Sequence, residues 1–220
     1  LMNPNPLTTA VSSFVLPAGA SKELDGGLAQ LSAFPAVDAA GLFEDMKNYP
    51  YSCGEQLAAR GLAYLHLLPL LPSSLASEAR ELIPGVINAL YARQNADGGF
   101  GYWGGGSSST WVSSMAGQFL SEASKAGFDV NAGVLKAWKG YQEKMVKVFR
   151  LVGNQFFDNL DQAYRLYTMA VAGIDVTAGL NRLREAPEIG ERASWMLACA
   201  YSVSGKKQTA SAILSIRRKS

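Results

Sequence analysis

The sequence is poor in cysteine and histidine and has no long apolar run, and each scarcity excludes a class of protein. Two cysteines in 220 residues cannot build the dense disulfide framework of small secreted domains. With a single histidine beside them, they supply no plausible set of zinc ligands. No stretch approaches the roughly 18 apolar residues that span a bilayer, and the first residues show no signal-peptide pattern. We expect a segment of a larger protein that needs no metal and no cofactor.

An excess of charge of one sign is also missing. The chain has 20 basic and 18 acidic residues, interspersed along its length, so its net charge is only +2. This balance excludes a nucleic-acid surface and a polybasic membrane anchor. Hydrophobic residues make up 48% and charged residues 17%, as in folded globular proteins. The length suffices for one domain with a sizeable core.

Strand patterns are almost absent, and the helical patterns repeat. Residues 126–135 match residues 172–180 almost position for position, and each copy has a glycine C-cap followed by Asn131 or Thr177 as N-cap. Repeated helical hairpins indicate an all-α solenoid or closed toroid, and periodicity does not decide between them. Residues 1–35 are turn-rich and are predicted to be an irregular connector from a preceding domain, with the helical domain in residues 36–220. Helices are predicted at 39–48, 53–68, 74–94, 110–126 and within 189–216.

The most informative stretch is residues 49–60, which begin with Tyr-Pro-Tyr-Ser-Cys-Gly-Glu-Gln. Ser52 as N-cap with Glu55 three residues later predicts a capping box, which places Cys53 in the first turn of a helix. Backbone N–H groups and the helix dipole favour a thiolate there. Gln56 lies within side-chain reach of Cys53, so the two could condense, expel ammonia and leave an internal thioester. The alternative is an ordinary capped helix with a buried cysteine and an exposed glutamine.

This string closely resembles the thioester motif of the alpha-2-macroglobulin and complement superfamily, and its aromatic-Pro-aromatic flank resembles the bacterial alpha-2-macroglobulins. Residues 161–167 and 205–210 resemble later stretches of the bacterial members, so the resemblance runs from about residue 39 to 216. It implies an α/α toroid, which is the fold of terpenoid cyclases as well. The chain is short for a full toroid, so a trimmed or incomplete ring is expected.

The resemblance implies a covalent protease trap (an endopeptidase inhibitor) rather than a turnover enzyme. In the parent protein a protease cuts a bait segment and the thioester is exposed. A lysine amine of the protease then attacks the Gln56 acyl carbon, and Cys53 leaves. The implied partners are target proteases and neighbouring macroglobulin-like β domains, and the implied location is the periplasm or cell envelope, in a role like host defence. Gly54 would give room for the ring, Glu55 would support it, and Tyr49 and Tyr51 would shield it.

A glycine-rich loop at residues 95–109 follows the thioester region. Residues 94–103 resemble a loop found in α/α toroids generally, including terpene cyclases and protein prenyltransferases. In the structural interpretation, Asp97 and the glycines make the turn while Phe100 and Trp103 plug between hairpins. In the functional one, Tyr102 and Trp103 line a rim that shelters the thioester from water.

Two further residues could carry chemistry. Some complement proteins use a histidine to attack the thioester, but His66 lies about 20 Å along the same predicted helix from Cys53. A histidine in the core or a groove is the better interpretation, and the resemblance points to direct attack by amines. Cys199 lies in an apolar helical run and is predicted to be a buried structural thiol.

Two other functions stay open. A non-catalytic toroid that only docks partners would carry the same motif with the thioester unformed. A terpene cyclase or prenyltransferase would need clustered carboxylates, and Asp158 with Asp161 supplies too few.

Overall fold

The computed structural model describes residues 38–150, 156–186 and 189–217. The predicted connector at 1–35 lies outside these residues. The helices are α1 (Ala39–Asn48), α2 (Gly54–Leu67), α3 (Ser73–Tyr91), α4 (Thr110–Lys125), α5 (Ala132–Val148), α6 (Phe156–Val171), α7 (Thr177–Arg184), α8 (Glu191–Val203) and α9 (Lys207–Arg217). A short 3-10 turn, Leu68–Leu70, follows α2. The all-α prediction is confirmed: in the described part of the chain, β structure is limited to one bridge between Gln94 and Phe100.

The helices alternate between two layers. Helices α2, α4, α6 and α8 pack side by side in one layer, each against the next. Helices α3, α5, α7 and α9 each pack on the even-numbered helix before them, and α1 packs on α2. Among the described helices, the extensive packing runs as an open series, with no such pair joining α8 or α9 back to α2 or α3. This is the hairpin arrangement of an α/α toroid, without extensive helix packing that closes the ring.

Glycines allow α4 to approach its neighbours closely. A Cβ on Gly61 of α2 would lie less than 3.0 Å from the buried ring of Phe119, and one on Gly117 would overlap the buried indole of Trp138. Trp138 is fixed there because its Nε1–H donates to the Ser113 carbonyl at 2.7 Å. The rings of Phe119 and Trp138 therefore fill the space beside these glycines, and α4 is held between α2 and α5.

The predicted internal repeat explains how two hairpins turn. Gly127 and Gly173 follow α4 and α6 with φ of 88° and 83°, a left-handed conformation that glycine adopts without steric cost. Asn131 then caps α5, its side chain accepting from a backbone N–H at 2.8 Å. The predicted glycine C-caps and the Asn131 N-cap are therefore confirmed.

The second N-cap of the repeat was predicted one residue too late. Helix α7 begins at Thr177, so Val176 is its N-cap. The reason is Asp175, whose carboxylate accepts from the Thr177 backbone N–H at 2.9 Å and thereby takes over the capping. This bond lowers the pKa of Asp175, since it stabilises the charged form.

Cys199 is exposed, so the prediction of a buried thiol is wrong. Helix α8 buries one face, and Cys199 lies on the other, one turn after the half-exposed Trp195 and one turn before Val203. The apolar run that surrounds Cys199 in sequence therefore does not surround it in space. The buried residues of α8 are Ala193, Ser194, Leu197, Ala198, Ala200 and Tyr201.

Candidate functional site

The start of α2 brings together the thiol and the carboxamide of the predicted thioester. Cys53 is the N-cap, in an extended conformation, and Gln56 is the third helical residue. The Cys53 backbone N–H donates to Gln56 Oε1 at 3.1 Å, and the two residues form a reciprocal capping box. The predicted box of Ser52 and Glu55 is therefore wrong by one residue, and Cys53 lies just before the first turn.

The hydrogen bond from Cys53 fixes which way the Gln56 amide points. A backbone N–H can only donate, so the atom that faces it must be the amide oxygen. The amide nitrogen then points away, and Gln56 Nε2 lies 3.4 Å from the Tyr49 hydroxyl. The acyl carbon is thus held between Cys53 on one side and Tyr49 on the other, and the Cys53 side chain is half-buried.

Two arginines hold residues 49–52 against the helix that follows them. Arg60, two turns into α2, donates through Nη2 to the carbonyls of Tyr49 at 2.9 Å and Tyr51 at 2.8 Å. Arg93, just after α3, donates to the Ser52 carbonyl at 2.6 Å. Charge-assisted bonds of this kind are among the stronger ones. The chain that leads into Cys53 is therefore fixed from two sides.

The glycine-rich loop packs its backbone against the same helix start. The Gly54 N–H donates to the Tyr102 carbonyl at 2.8 Å, which satisfies one of the free N–H groups at the N-terminus of α2. A Cβ on Gly54 would lie less than 3.0 Å from the Gly101 carbonyl oxygen. Glycine at position 54 thus makes room for this loop, whereas the sequence argument assigned the room to a thioester ring.

The loop side chains divide into a buried anchor and two exposed aromatic rings. Phe100 is fully buried, as predicted for a plug between hairpins. Trp103 is 62% exposed, so its predicted role as a second plug is wrong. The reason is that the backbone turns at residues 101–106, where glycines bring the chain back on itself, and Tyr102 and Trp103 project outward on this turn. Both residues belong to the loop that touches Gly54, and their predicted role as shields stays a prediction.

Glu55 does not cap the helix, because its carboxylate is held by another helix. Trp111, in the first turn of α4, donates from Nε1 to Glu55 Oε1 at 3.0 Å. The indole also packs on the ring of Tyr164 from α6, with centroids 4.8 Å apart. The Tyr164 hydroxyl donates to Gln118 Oε1 at 2.8 Å, and burial raises the pKa of Tyr164. The helix start is therefore tied to α4 and α6.

Replacing Trp111 with phenylalanine is expected to lower the free energy of unfolding by about 1–2 kcal/mol. The hydrogen bond to the Glu55 carboxylate is lost, while an aromatic ring remains to pack on Tyr164. Chemical denaturation of wild type, Trp111→Phe, Glu55→Ala and the double variant measures the pairwise term. If the two single effects simply add, the indole and the carboxylate do not act together.

Sequence reasoning missed Arg60, Arg93 and Trp111. Arg60 had a detectable signal, since it lies seven residues after Cys53 and therefore on the same side of the helix. Arg93 reaches the site from just after α3 and Trp111 from α4, and nothing in the local pattern of either residue points to the site.

His66 lies at the far end of α2, away from Cys53 as predicted. Its side chain is 62% exposed, and its Nε2 lies 2.6 Å from Glu122 Oε2 on α4. An exposed histidine paired with α4 replaces the predicted core or groove histidine, because α2 ends beside α4 at the protein surface.

Among the described residues, no group of three acidic, histidine or cysteine side chains could hold a metal ion. None of the described helices is long and apolar enough to cross a membrane.

Comparison with known proteins gives consistent results in sequence and in structure. No family model matches the chain. An alpha-2-macroglobulin from Xylella fastidiosa is 32% identical over 114 residues, 48% of this chain and 7% of that protein. One from Rickettsia conorii is 27% identical over 159 residues, 67% of this chain and 8% of that protein. The chain therefore spans less than a tenth of these relatives.

A solved structure shares the fold. The crystal structure of Salmonella alpha-2-macroglobulin reacted with methylamine superposes with a TM-score of 0.68, covering 83% of this chain and 13% of that one at 19% identity. The two sequence relatives and the solved structure are all bacterial alpha-2-macroglobulins, so the two comparisons agree. The chain is therefore similar in sequence and in fold to one segment of the bacterial alpha-2-macroglobulins.

Proposed function

We propose that this chain is the thioester domain of a bacterial alpha-2-macroglobulin-like protein that traps proteases covalently. The observation that carries the proposal is the capping box, which places the Cys53 thiol and the Gln56 carboxamide in one turn with the amide oxygen bonded to the Cys53 N–H. An ordinary capped helix needs only a polar side chain at positions 53 and 56. A nucleophilic sulfur beside a polarised carbonyl is what thioester formation requires.

The chain's own groups support each stage of the proposed chemistry. The Cys53 N–H donates to the atom that carries negative charge when sulfur attacks the amide carbon, as an oxyanion hole does. Once the ring has formed, an amine attacks the same carbon and Cys53 departs as thiolate, aided by the positive end of α2. The product is an amide through Gln56, so each molecule reacts once.

Shielding by aromatic rings is proposed for the intact thioester. Tyr49 and Tyr51 are 48% and 64% exposed and lie edge to face, with ring centroids 5.7 Å apart. Tyr102 and Trp103 are also exposed, on the loop whose Tyr102 carbonyl accepts from the Gly54 N–H, and we propose that all four rings shield the helix start. Rings that stay this exposed in the domain would be covered by other domains of the parent chain, which exclude water from the thioester until a protease cuts a bait segment.

The remaining features of the proposal concern the parent protein. Target proteases, which react through lysine amines, and neighbouring macroglobulin-like β domains are the proposed partners. The proposed location is the periplasm or cell envelope. These features rest on the family resemblance and on the small share of the relatives that this chain spans.

Intact mass spectrometry before and after methylamine tests the proposal. The freshly purified chain is expected to be lighter than its sequence by one ammonia, then to gain one methylamine and expose one new thiol. Methylamine is a small amine that needs no docking surface and has been reacted with the Salmonella relative. A chain that has its full sequence mass and ignores methylamine would instead support the docking module with an unformed thioester.

A further inference from the structure

We infer that Tyr49 is a catalytic proton donor in thioester formation, in addition to its proposed role as a shield. The inference rests on the proposed function and concerns one atom that this function leaves unassigned. Ammonia must leave from Gln56 Nε2, and an amide nitrogen departs only when it is protonated. The Tyr49 hydroxyl lies beside this nitrogen and accepts from Gln56 Nε2 at 3.4 Å. A hydroxyl can also donate, so it can turn its proton to the nitrogen once sulfur has attacked and the nitrogen has regained its lone pair.

The direction of the amide makes this contact specific. Because the Cys53 N–H holds Gln56 Oε1, the nitrogen cannot exchange places with the oxygen without breaking that bond. Cys53 therefore supplies both the nucleophile, its sulfur, and the oxyanion donor, its N–H. The leaving group, Gln56 Nε2, faces Tyr49. Contacts of this length are common before the reacting complex forms and shorten as charge develops.

The position of Tyr49 is set by contacts outside the reaction. Its carbonyl accepts from Arg60 at 2.9 Å, and its ring packs edge-on against Tyr51. Pro50 restricts the backbone of Tyr49 to extended conformations. Arg60 lies on the same helix as Gln56, one turn further along, so the guanidinium fixes the tyrosine relative to the amide. Arg60 is thus a positioning residue for the hydroxyl.

The step balances without any further reagent. Cys53 Sγ loses its proton and bonds to the Gln56 acyl carbon, and the Cys53 N–H stabilises the oxyanion on Oε1. The C–Nε2 bond then breaks as the Tyr49 hydroxyl gives its proton to the nitrogen, which leaves as ammonia. The proton released by the thiol restores the Tyr49 hydroxyl, and nothing is oxidised or reduced. In attack by an amine, the same steps run in reverse: the Tyr49 hydroxyl proton goes to the departing Cys53 sulfur, and the Tyr49 oxygen takes a proton from the incoming nitrogen.

Tyr49→Phe tests the inference because it removes the hydroxyl and keeps the shielding ring. The whole chain, obtained unfolded with Gln56 intact, is refolded by dilution, and samples are quenched and weighed to follow the loss of ammonia. We expect Tyr49→Phe to slow this loss about 100-fold, at the low end of general acid catalysis. Methylamine uptake by the protein in which the thioester has formed should slow with it.

Tyr51→Phe is the matched control, since it removes the neighbouring hydroxyl from the same pair of rings. It is expected to react at the wild-type rate. Circular dichroism shows whether each variant has refolded before its rate is compared. Loss of ammonia from Tyr49→Phe at the wild-type rate would overturn the inference and leave the proposed function standing. A wild-type chain that never loses ammonia would overturn the proposed function and this inference together.

Discussion

Replacing Cys53 with alanine is expected to abolish both the mass deficit of the purified chain and its uptake of methylamine. The sulfur is the nucleophile that expels ammonia and the group that leaves when an amine attacks, so no other atom at the site substitutes for it. Cys199→Ala is the matched control, because Cys199 is exposed and lies on α8, far along the chain from the capping box. It should retain the deficit and the uptake, with one fewer titratable thiol.

Gln56→Glu separates the chemistry from the structure of the helix start. A glutamate oxygen still accepts from the Cys53 N–H, so the capping box is kept. The side chain no longer has ammonia to expel, and the thioester is not expected to form. Denaturation curves close to wild type, together with a full sequence mass, are the expected pair of results. Methylamine uptake by Cys53→Ala would contradict the mechanism, since it requires activation of Gln56 by a group other than the sulfur.

Several helix ends and turns follow from signals that are local in the sequence, whereas the toroid was expected only from the family resemblance. Helix α1 was predicted at residues 39–48 and lies at Ala39–Asn48, because Asp38 caps it and Pro50 stands beyond its end. Gly127 and Gly173 mark two turns that only glycine adopts easily. Each of these features depends on residues a few positions apart, which is why a single sequence sufficed.

Two of the errors came from packing between distant parts of the chain. Glu55 was predicted to cap α2, but Trp111 draws its carboxylate to α4, and Gln56 caps instead. Cys199 was predicted to be buried because its sequence neighbours are apolar, yet only one face of α8 packs against the protein. In both cases the local pattern allowed two outcomes, and tertiary packing chose between them.

Gly54→Ala is expected to destabilise the chain by about 3 kcal/mol and to reduce thioester formation with it. The new Cβ would lie less than 3.0 Å from the Gly101 carbonyl oxygen and 3.0 Å from Val112 Cγ1. The first neighbour is backbone and has no rotamer to change, so overpacking costs about 1–3 kcal/mol. If the loop moves away to make room, the hydrogen bond from the Gly54 N–H to the Tyr102 carbonyl is lost, which costs about 1 kcal/mol more.

Gly140→Ala is the matched control for this substitution. Gly140 is an exposed helical glycine, and a Cβ there would meet nothing within 4 Å. Alanine at position 140 should stabilise α5 by about 0.5–1 kcal/mol, because it restricts the unfolded chain. Chemical denaturation of both variants, with intact mass after refolding, checks the pair. A Gly54→Ala chain as stable as wild type but without a mass deficit would show that glycine at position 54 makes room for the thioester ring and not for the loop.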